Sequence, residues 1–504
     1  MKNLRIMAIL THFILMFSNT PFLQAQDSPF PDPHELTGKK AGEIVLKSGT
    51  YGENKADFGF ILVPENRDDP EARLLRLPFI RHHALEDTSS ESIFYLTGGP
   101  GKSNLWIDLA DIFFKHNDLI KVGYRGVDGE VKLICPELGK ALTIENPLSH
   151  DSLQKIRNIF RDNYDRLIQN GIDLDGYNMV EVIDDLEAVR KALGYERINL
   201  FSTSFGTQLA YVYCLRYPQS IYRNLMMGAS NRAHHANHLG WEPDIIEKML
   251  RQYNELWKSD PEAVSRTPDI LKTMQNVFAA LPQQWKHIRI DPDKLRIVTF
   301  YLLYETDTAA ALFDAYVAAE QGDYSGLAVL VVGLDENIQS TSKHYWGEYF
   351  TKAVSGGLDT TRDYETEMIL PGAILGSPRD KLFWSAASSG GWPVKQIPLK
   401  YRQLDTTYVE TLIVNGSLDF SSPPDCILEA KPYFKNGHIV FIPKTGHVGV
   451  INSQRAGFEH LFQRFFLEGV VDTSKYLVKK IDFTPEETYQ DYAKQLFKEE
   501  PEKK

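Results

Sequence analysis

Along the chain, short unbroken apolar runs alternate with longer stretches in which apolar positions return every three or four residues. The first kind predicts buried strands and the second amphipathic helices. FGFILVP at 58–64 and LLRLPFIR at 74–81 predict two strands around a polar turn. Ile93 to Leu96 and Leu119 to Tyr124 predict two more, each ending in glycines. In NMVEVIDDLEAVRKALGY, the residues Met179, Val182, Ile183, Leu186, Val189 and Leu193 share one helical face, and Gly194 marks its end. A strand at Ile198 to Phe201, a helix reaching Tyr217-Pro218 and a strand over 224–229 follow directly. Strand, helix, strand in steady order predicts an α/β fold with a mainly parallel sheet.

From about 235 to 400 the pattern becomes helical, with DIIEKMLRQYNELWK, DILKTMQNVFAALPQQW and DTAAALFDAYVAAEQ and few strand signals. This segment reads as a helical insertion. Strand signals resume at 408–414 and 438–442, followed by the helix GFEHLFQRFFLEG. Its stripe of Phe458, Leu461, Phe462, Phe465 and Phe466 predicts core packing. The expected organisation is a leader at 1–25, a first core part at 40–234, the insertion at 235–400, a second core part at 401–475 and a charged tail at 476–504, which after about 485 reads as a solvated helix with a frayed end.

Composition narrows the function classes. With 43% hydrophobic and 24% charged residues, the 504-residue chain has an ordinary globular balance. A formal charge of −12, falling to −14 once Lys2 and Arg5 leave with residues 1–25, argues against a nucleic-acid binder. Those first residues have a basic start, an apolar run from Ile6 to Phe17 too short to span a bilayer, and a small residue at Ala25. They predict a secretory signal peptide, and hence a secreted or periplasmic protein. No later segment is long and apolar enough to cross a membrane. Cys135, Cys214 and Cys426 are an odd number for an exported chain and have no metal-site spacing. His234, His235 and His238 lack the further ligands that zinc needs and are expected to line an entrance between core and insertion. His82 and His83 are expected at the surface, and Asp184 and Asp185 on a solvated helix face.

The candidate chemistry begins at INLFSTSFGTQLAYVY, where a strand stops at Ser-Thr-Ser-Phe-Gly and a helix follows. A serine hydroxyl becomes a nucleophile only when a base takes its proton and a carboxylate orients that base. Asp419 stands five residues past Val414 and His447 follows the next strand, so Ser204, Asp419 and His447 each lie just past a strand end. In a parallel sheet such loops share one edge, where the three converge. The N–H of Phe205 and one from the Gly98-Gly99 segment would supply an oxyanion hole.

LTGGPG, YRGVDG, FSTSFGT, VNGSLDFSSPPD and KTGHVG, in this order, resemble the prolyl and tripeptidyl aminopeptidase branch of the α/β-hydrolases, over about 55–235 and 400–470. The resemblance implies an α/β-hydrolase fold with a helical cap at 235–400. It implies Ser204 as nucleophile, Asp419 as acid and His447 as base, with Gly99 and Phe205 as oxyanion donors and Gly98 the alternative to Gly99. It further implies an aminopeptidase acting on peptides, with a cap carboxylate for the substrate amine and no cofactor. A carboxylesterase acting on small acyl substrates would use the same triad, and a silent binding protein would keep only the fold. Thr97 stands where many relatives have His, Gly123 where they have Asp (with Asp128 nearby), and Ser389 where some have a Cys before Trp392. Ser202 replaces the first glycine of the usual Gly-x-Ser-x-Gly turn.

Overall fold

The computed structural model describes residues 28–86, 91–105, 111–229, 242–340 and 344–497. The leader at 1–25 and the histidines at 234, 235 and 238 lie outside these residues. The strands are β1 (Ile44–Tyr51), β2 (Asn54–Pro64), β3 (Leu74–His82), β4 (Ile93–Leu96), β5 (Leu119–Val122), β6 (Ile198–Thr203), β7 (Ile221–Met227), β8 (Gln284–Trp285), β9 (Ile288–Arg289), β10 (Glu410–Gly416) and β11 (Gly437–Ile442). Nine of them form one sheet in the order β1-β2-β3-β5-β4-β6-β7-β10-β11, and β8 and β9 make a small separate hairpin. Antiparallel pairing joins β1 to β2, β2 to β3 and β3 to β5. All other neighbours in the nine-stranded sheet are parallel. The chain is therefore an α/β-hydrolase fold, with helices covering a mainly parallel sheet.

Strands β4, β6 and β10 are buried almost throughout, so their sequences read as continuous apolar runs. Strand β1 is mostly exposed and has no such run, which is why the pattern did not predict it. The helix Arg455–Glu468 buries Phe458, Leu461, Phe462, Phe465 and Phe466 as expected. Phe462 packs edge-on to Phe201 of β6 with ring centroids 5.3 Å apart. Truncating such a core ring costs about 3–5 kcal/mol. Among the described residues between β7 and β10, the regular elements are helices and the β8–β9 hairpin.

Three expectations are corrected. Asp184 and Asp185 do not face solvent: both are buried, Asp184 held by Arg216 and Asp185 by Arg125 and Arg67. His82 is buried and stacked on Phe114, and His83 is partly buried against Asp57. The C-terminal segment is not a solvated tail. Phe483 packs on Trp257 and Phe313 of the insertion, and the helix Tyr489–Leu496 buries Tyr489 and Ala493. Exposed charges along this segment conceal its sparse apolar stripe.

Strand order reverses between β4 and β6, because β5 lies on one side of β4 and β6 on the other. The carboxyl ends of strands at such a switch point open a crevice. β4 delivers Thr97 and Gly98 there, and β6 delivers Ser204.

Candidate active site

β6 runs into a sharp turn at Ser204, whose φ of 51° lies in the left-handed region that side chains disfavour. Such strain costs about 1–3 kcal/mol and persists only where the surroundings fix it. Here the Ser204 N–H donates to the Met227 carbonyl at 2.9 Å. The Ser204 carbonyl accepts the Thr207 N–H at 2.9 Å and the Thr207 hydroxyl at 2.6 Å. Gly206 is required by packing, since a Cβ there would sit 2.2 Å from the Leu96 carbonyl oxygen. Position 202 tolerates serine: its side chain is buried and its hydroxyl donates to the Leu225 carbonyl at 3.3 Å. The helix Gly206–Arg216 starts without a side-chain cap, so its first N–H groups and positive end face the turn.

The predicted partners arrive at the same place. His447 Nε2 lies 2.8 Å from Ser204 Oγ, and His447 Nδ1 lies 2.8 Å from Asp419 Oδ2. Asp419 is wholly buried, and its Oδ1 accepts the Ser422 N–H at 2.7 Å. Its loop is tied to the exit of β7. Asn415 exchanges hydrogen bonds with the backbone of Ala229 at 2.9 and 3.0 Å, and the Ser422 hydroxyl donates to the Gly228 carbonyl at 2.8 Å. Asn415 and Ser422 were missed from sequence, although an Asn inside the apolar run TLIVNG is a visible signal.

Gly98 lies against the serine: a Cβ there would be 2.3 Å from Ser204 Cβ and 3.1 Å from the Phe205 nitrogen. The Gly98 N–H donates to Thr203 Oγ1 at 3.3 Å, which separates it from Gly99 as a candidate donor. The loop is held by Asn104, which accepts the Thr97 N–H at 2.8 Å and donates to the carbonyls of Tyr95 and Val122, both at 2.9 Å. Asp128 accepts the N–H groups of Asn104 at 3.0 Å and Tyr124 at 2.9 Å. A Cβ at Gly123 would lie 2.6 Å from Asp128 Cβ. Asp128 thus fills the space a side chain at 123 would need, and the altered motif keeps a carboxylate in this loop. Next to it, Arg125 is completely buried and donates twice to Asp185 at 2.7 Å and to the Glu65 carbonyl at 2.6 Å.

Burial pushes the His447 imidazole down, but the charge and hydrogen bond of Asp419, with the charge of Glu305, raise it above its ordinary value. Glu305 belongs to the helical insertion and was not foreseen. Burial pushes its carboxyl up to about 7, against the Val448 N–H and the His447 charge. Cys135, Cys214 and Cys426 are buried free thiols. Among the described residues, no group of three or more His, Cys, Asp or Glu side chains is arranged to hold a metal ion, and no helix is long and apolar enough to cross a membrane.

A family model described as the alpha/beta hydrolase fold matches residues 91–453. The chain is 20% identical over 460 residues to the tripeptidyl aminopeptidase of Streptomyces lividans, covering 82% of each chain. It is likewise 20% identical to the tripeptidyl aminopeptidase of Streptomyces coelicolor, covering 82% of this chain and 81% of that one. Among solved structures, MGS-M2, an alpha/beta hydrolase enzyme from a Medee basin deep-sea metagenome library, aligns with a TM-score of 0.37 at 12% identity, covering 79% of this chain and 97% of that one.

Proposed function

Because the chain belongs to the alpha/beta hydrolase fold family, we propose that it is an exported serine hydrolase in which Ser204, His447 and Asp419 act as the catalytic triad of an aminopeptidase. The observation that carries this reading is the unbroken hydrogen-bond chain from Ser204 Oγ through the imidazole to the Asp419 carboxylate. As Ser204 Oγ attacks the scissile carbonyl, its proton passes to His447 Nε2, and Asp419 holds the imidazole and offsets its new charge. The oxyanion meets the N–H groups of Phe205 and Gly99, Gly98 being engaged with Thr203. His447 then gives the proton to the leaving amine as the C–N bond breaks. Water, deprotonated by the same imidazole, attacks the acyl-enzyme and releases the acid, and Ser204 recovers its proton. Preorganised donors of this kind are each worth about 3–4 kcal/mol of barrier.

The peptidase reading is supported by the five sequence motifs and by the two tripeptidyl aminopeptidases to which the chain is similar. In such an enzyme a carboxylate of the insertion receives the free amine of the substrate. The test is a panel of tripeptidyl anilides with free amines, their N-acetylated counterparts and short acyl esters, alongside fluorophosphonate labelling with Ser204→Ala as control. Aminopeptidase activity requires a single adduct on Ser204 and turnover that disappears on acetylation. Turnover of esters alone would make the protein a carboxylesterase, and no labelling of folded protein would end the hydrolase reading. Export predicts that protein recovered outside the cytoplasm begins after Ala25, which N-terminal sequencing checks.

A further inference from the structure

The helical insertion also grips the loop that carries His447. Three consecutive backbone N–H groups of that loop end on two neighbouring residues of the insertion. The His447 N–H donates to the Tyr304 carbonyl at 2.7 Å. The Val448 N–H donates to Glu305 Oε1 at 2.7 Å and the Gly449 N–H to Glu305 Oε2 at 3.1 Å. The contact is close: a Cβ at Gly446 would lie 2.4 Å from the Tyr304 carbonyl oxygen and 2.7 Å from Glu305 Cα.

Building on the serine-hydrolase reading, we propose that Glu305 is a positioning residue, a carboxylate supplied by the insertion that aligns His447 with Ser204 and couples the base to the insertion. A carboxylate suits the task because it offers an acceptor to each of two adjacent N–H groups, and charge-assisted bonds are about twice as strong as neutral ones. An amide offers one acceptor and turns its NH2 toward the other N–H. The groups facing Glu305 are Asp307 on its own turn, Asp419 and His447 from the core, and Tyr253 from the helix Pro243–Lys258. Asp307 and Asp419 disfavour its charge, and His447 favours it.

This arrangement has a consequence for pH. The Glu305 carboxyl is raised to about 7 by burial and His447 is raised above its ordinary value, and the charge of each favours the charge of the other. As pH falls, His447 is lost as a base and Glu305 loses the charge that anchors the loop. The acid limb of the wild-type profile therefore falls with more than one proton. Removing the Glu305 charge lowers the His447 pKa, because that negative charge helps the imidazole hold its proton.

The experiment measures the rate of Ser204 labelling by a fluorophosphonate, with kcat and KM for any substrate turned over, from about pH 5 to 9. It compares wild type with Glu305→Gln and Glu305→Asp, each checked for a normal melting transition. In Glu305→Gln the plateau rate falls by about tenfold or more, within the roughly 10²-fold that a misplacement of about 1 Å costs. Its acid limb moves to lower pH with a one-proton slope, and KM stays near wild type. Glu305→Asp keeps the charge, so its limb returns toward wild type while its plateau stays low; it carries the test if the Gln variant does not fold. A wild-type limb and plateau in either folded variant overturns the proposal. So does a loss confined to free-amine substrates, with esters and the probe reacting normally, since Glu305 would then be binding substrate. Absence of labelling in wild type overturns the hydrolase reading itself, a result distinct from both.

Discussion

Gly228, at the exit of β7, is the point where a single methyl group should separate catalysis from stability. Its φ is 58°, and a Cβ there would lie 2.8 Å from His447 Cε1 and 3.0 Å from Nδ1. Ordinary carbon contacts are about 3.5–4.0 Å, so in Gly228→Ala the ring must retreat by roughly 0.7 Å or more. That ring is bonded at 2.8 Å to Asp419 on one side and at 2.8 Å to Ser204 on the other. A displacement near 1 Å stretches at least one of these bonds to about 3.5 Å, where little hydrogen bonding remains. The side chain absorbs the clash, so stability falls chiefly by the left-handed strain of a non-glycine residue, about 1–2 kcal/mol. Activity should fall by about 10²-fold. Gly194→Ala is the control: its φ of 78° imposes similar strain, but nothing lies within 4 Å of its Cβ. Thermal unfolding and the Ser204 labelling rate should show both variants equally destabilised and only Gly228→Ala slow. A Gly228→Ala protein that labels at the wild-type rate would refute the argument that this ring position limits the reaction.

Asp419→Asn should leave the fold intact, because an amide oxygen still accepts the Ser422 N–H, yet lower kcat by about 10⁴ through the wrong imidazole tautomer. In the proposed mechanism His447 must be neutral to act as base; its pKa is raised, so turnover should decline as pH falls through a value above the ordinary histidine range. The same raised pKa contributes stability that is full below the unfolded histidine value and is lost as pH rises through the folded one, which melting curves across that window would detect. Arg125→Ala leaves buried Asp185 with Arg67 as its remaining arginine partner and should cost about 3 kcal/mol in chemical denaturation, the low end for breaking a buried pair; Arg125→Lys should not restore it, since one ammonium cannot reproduce the fork on both Asp185 oxygens.

What the sequence disclosed depended on how local each determinant is. Strands β4, β6 and β10 were legible because burial on both faces leaves an apolar run that needs no partner to be recognised. Ser204 and Asp419 were legible because each follows such a strand, and His447 because it follows the partly buried strand β11, whose run HIVFI is still apolar. Asp184 and Asp185 were misread because two adjacent acids on a helix look solvated until their arginines are known, and Arg216, Arg125 and Arg67 lie 32, 60 and 118 residues away. Glu305 left no trace because its partners are backbone N–H groups 143 and 144 residues distant, which no side-chain pattern records. Gly123 looked like a damaged motif because the residue that fills its space, Asp128, sits beyond the turn.

The distribution of these contacts bears on what the insertion is. It holds the His447 loop through Tyr304 and Glu305. It also holds the opposite side of the site, where the Gly101 N–H donates to Glu348, the Tyr345 N–H donates to the Gly101 carbonyl at 3.3 Å and Lys352, ion-paired with Glu348, lies over the Tyr124 ring. The C-terminal segment then fastens it again through Phe483. Swinging the insertion away as a body would break the bonds from Gly101 to Glu348 and from Val448 and Gly449 to Glu305, and would release both loops. An insertion fastened in this way is bonded into the loops around Ser204 and His447 and is not a lid resting on them. Grafting another insertion onto this core would then change rate and specificity together, because the new segment would have to present both a carboxylate to Val448 and Gly449 and an acceptor to Gly101.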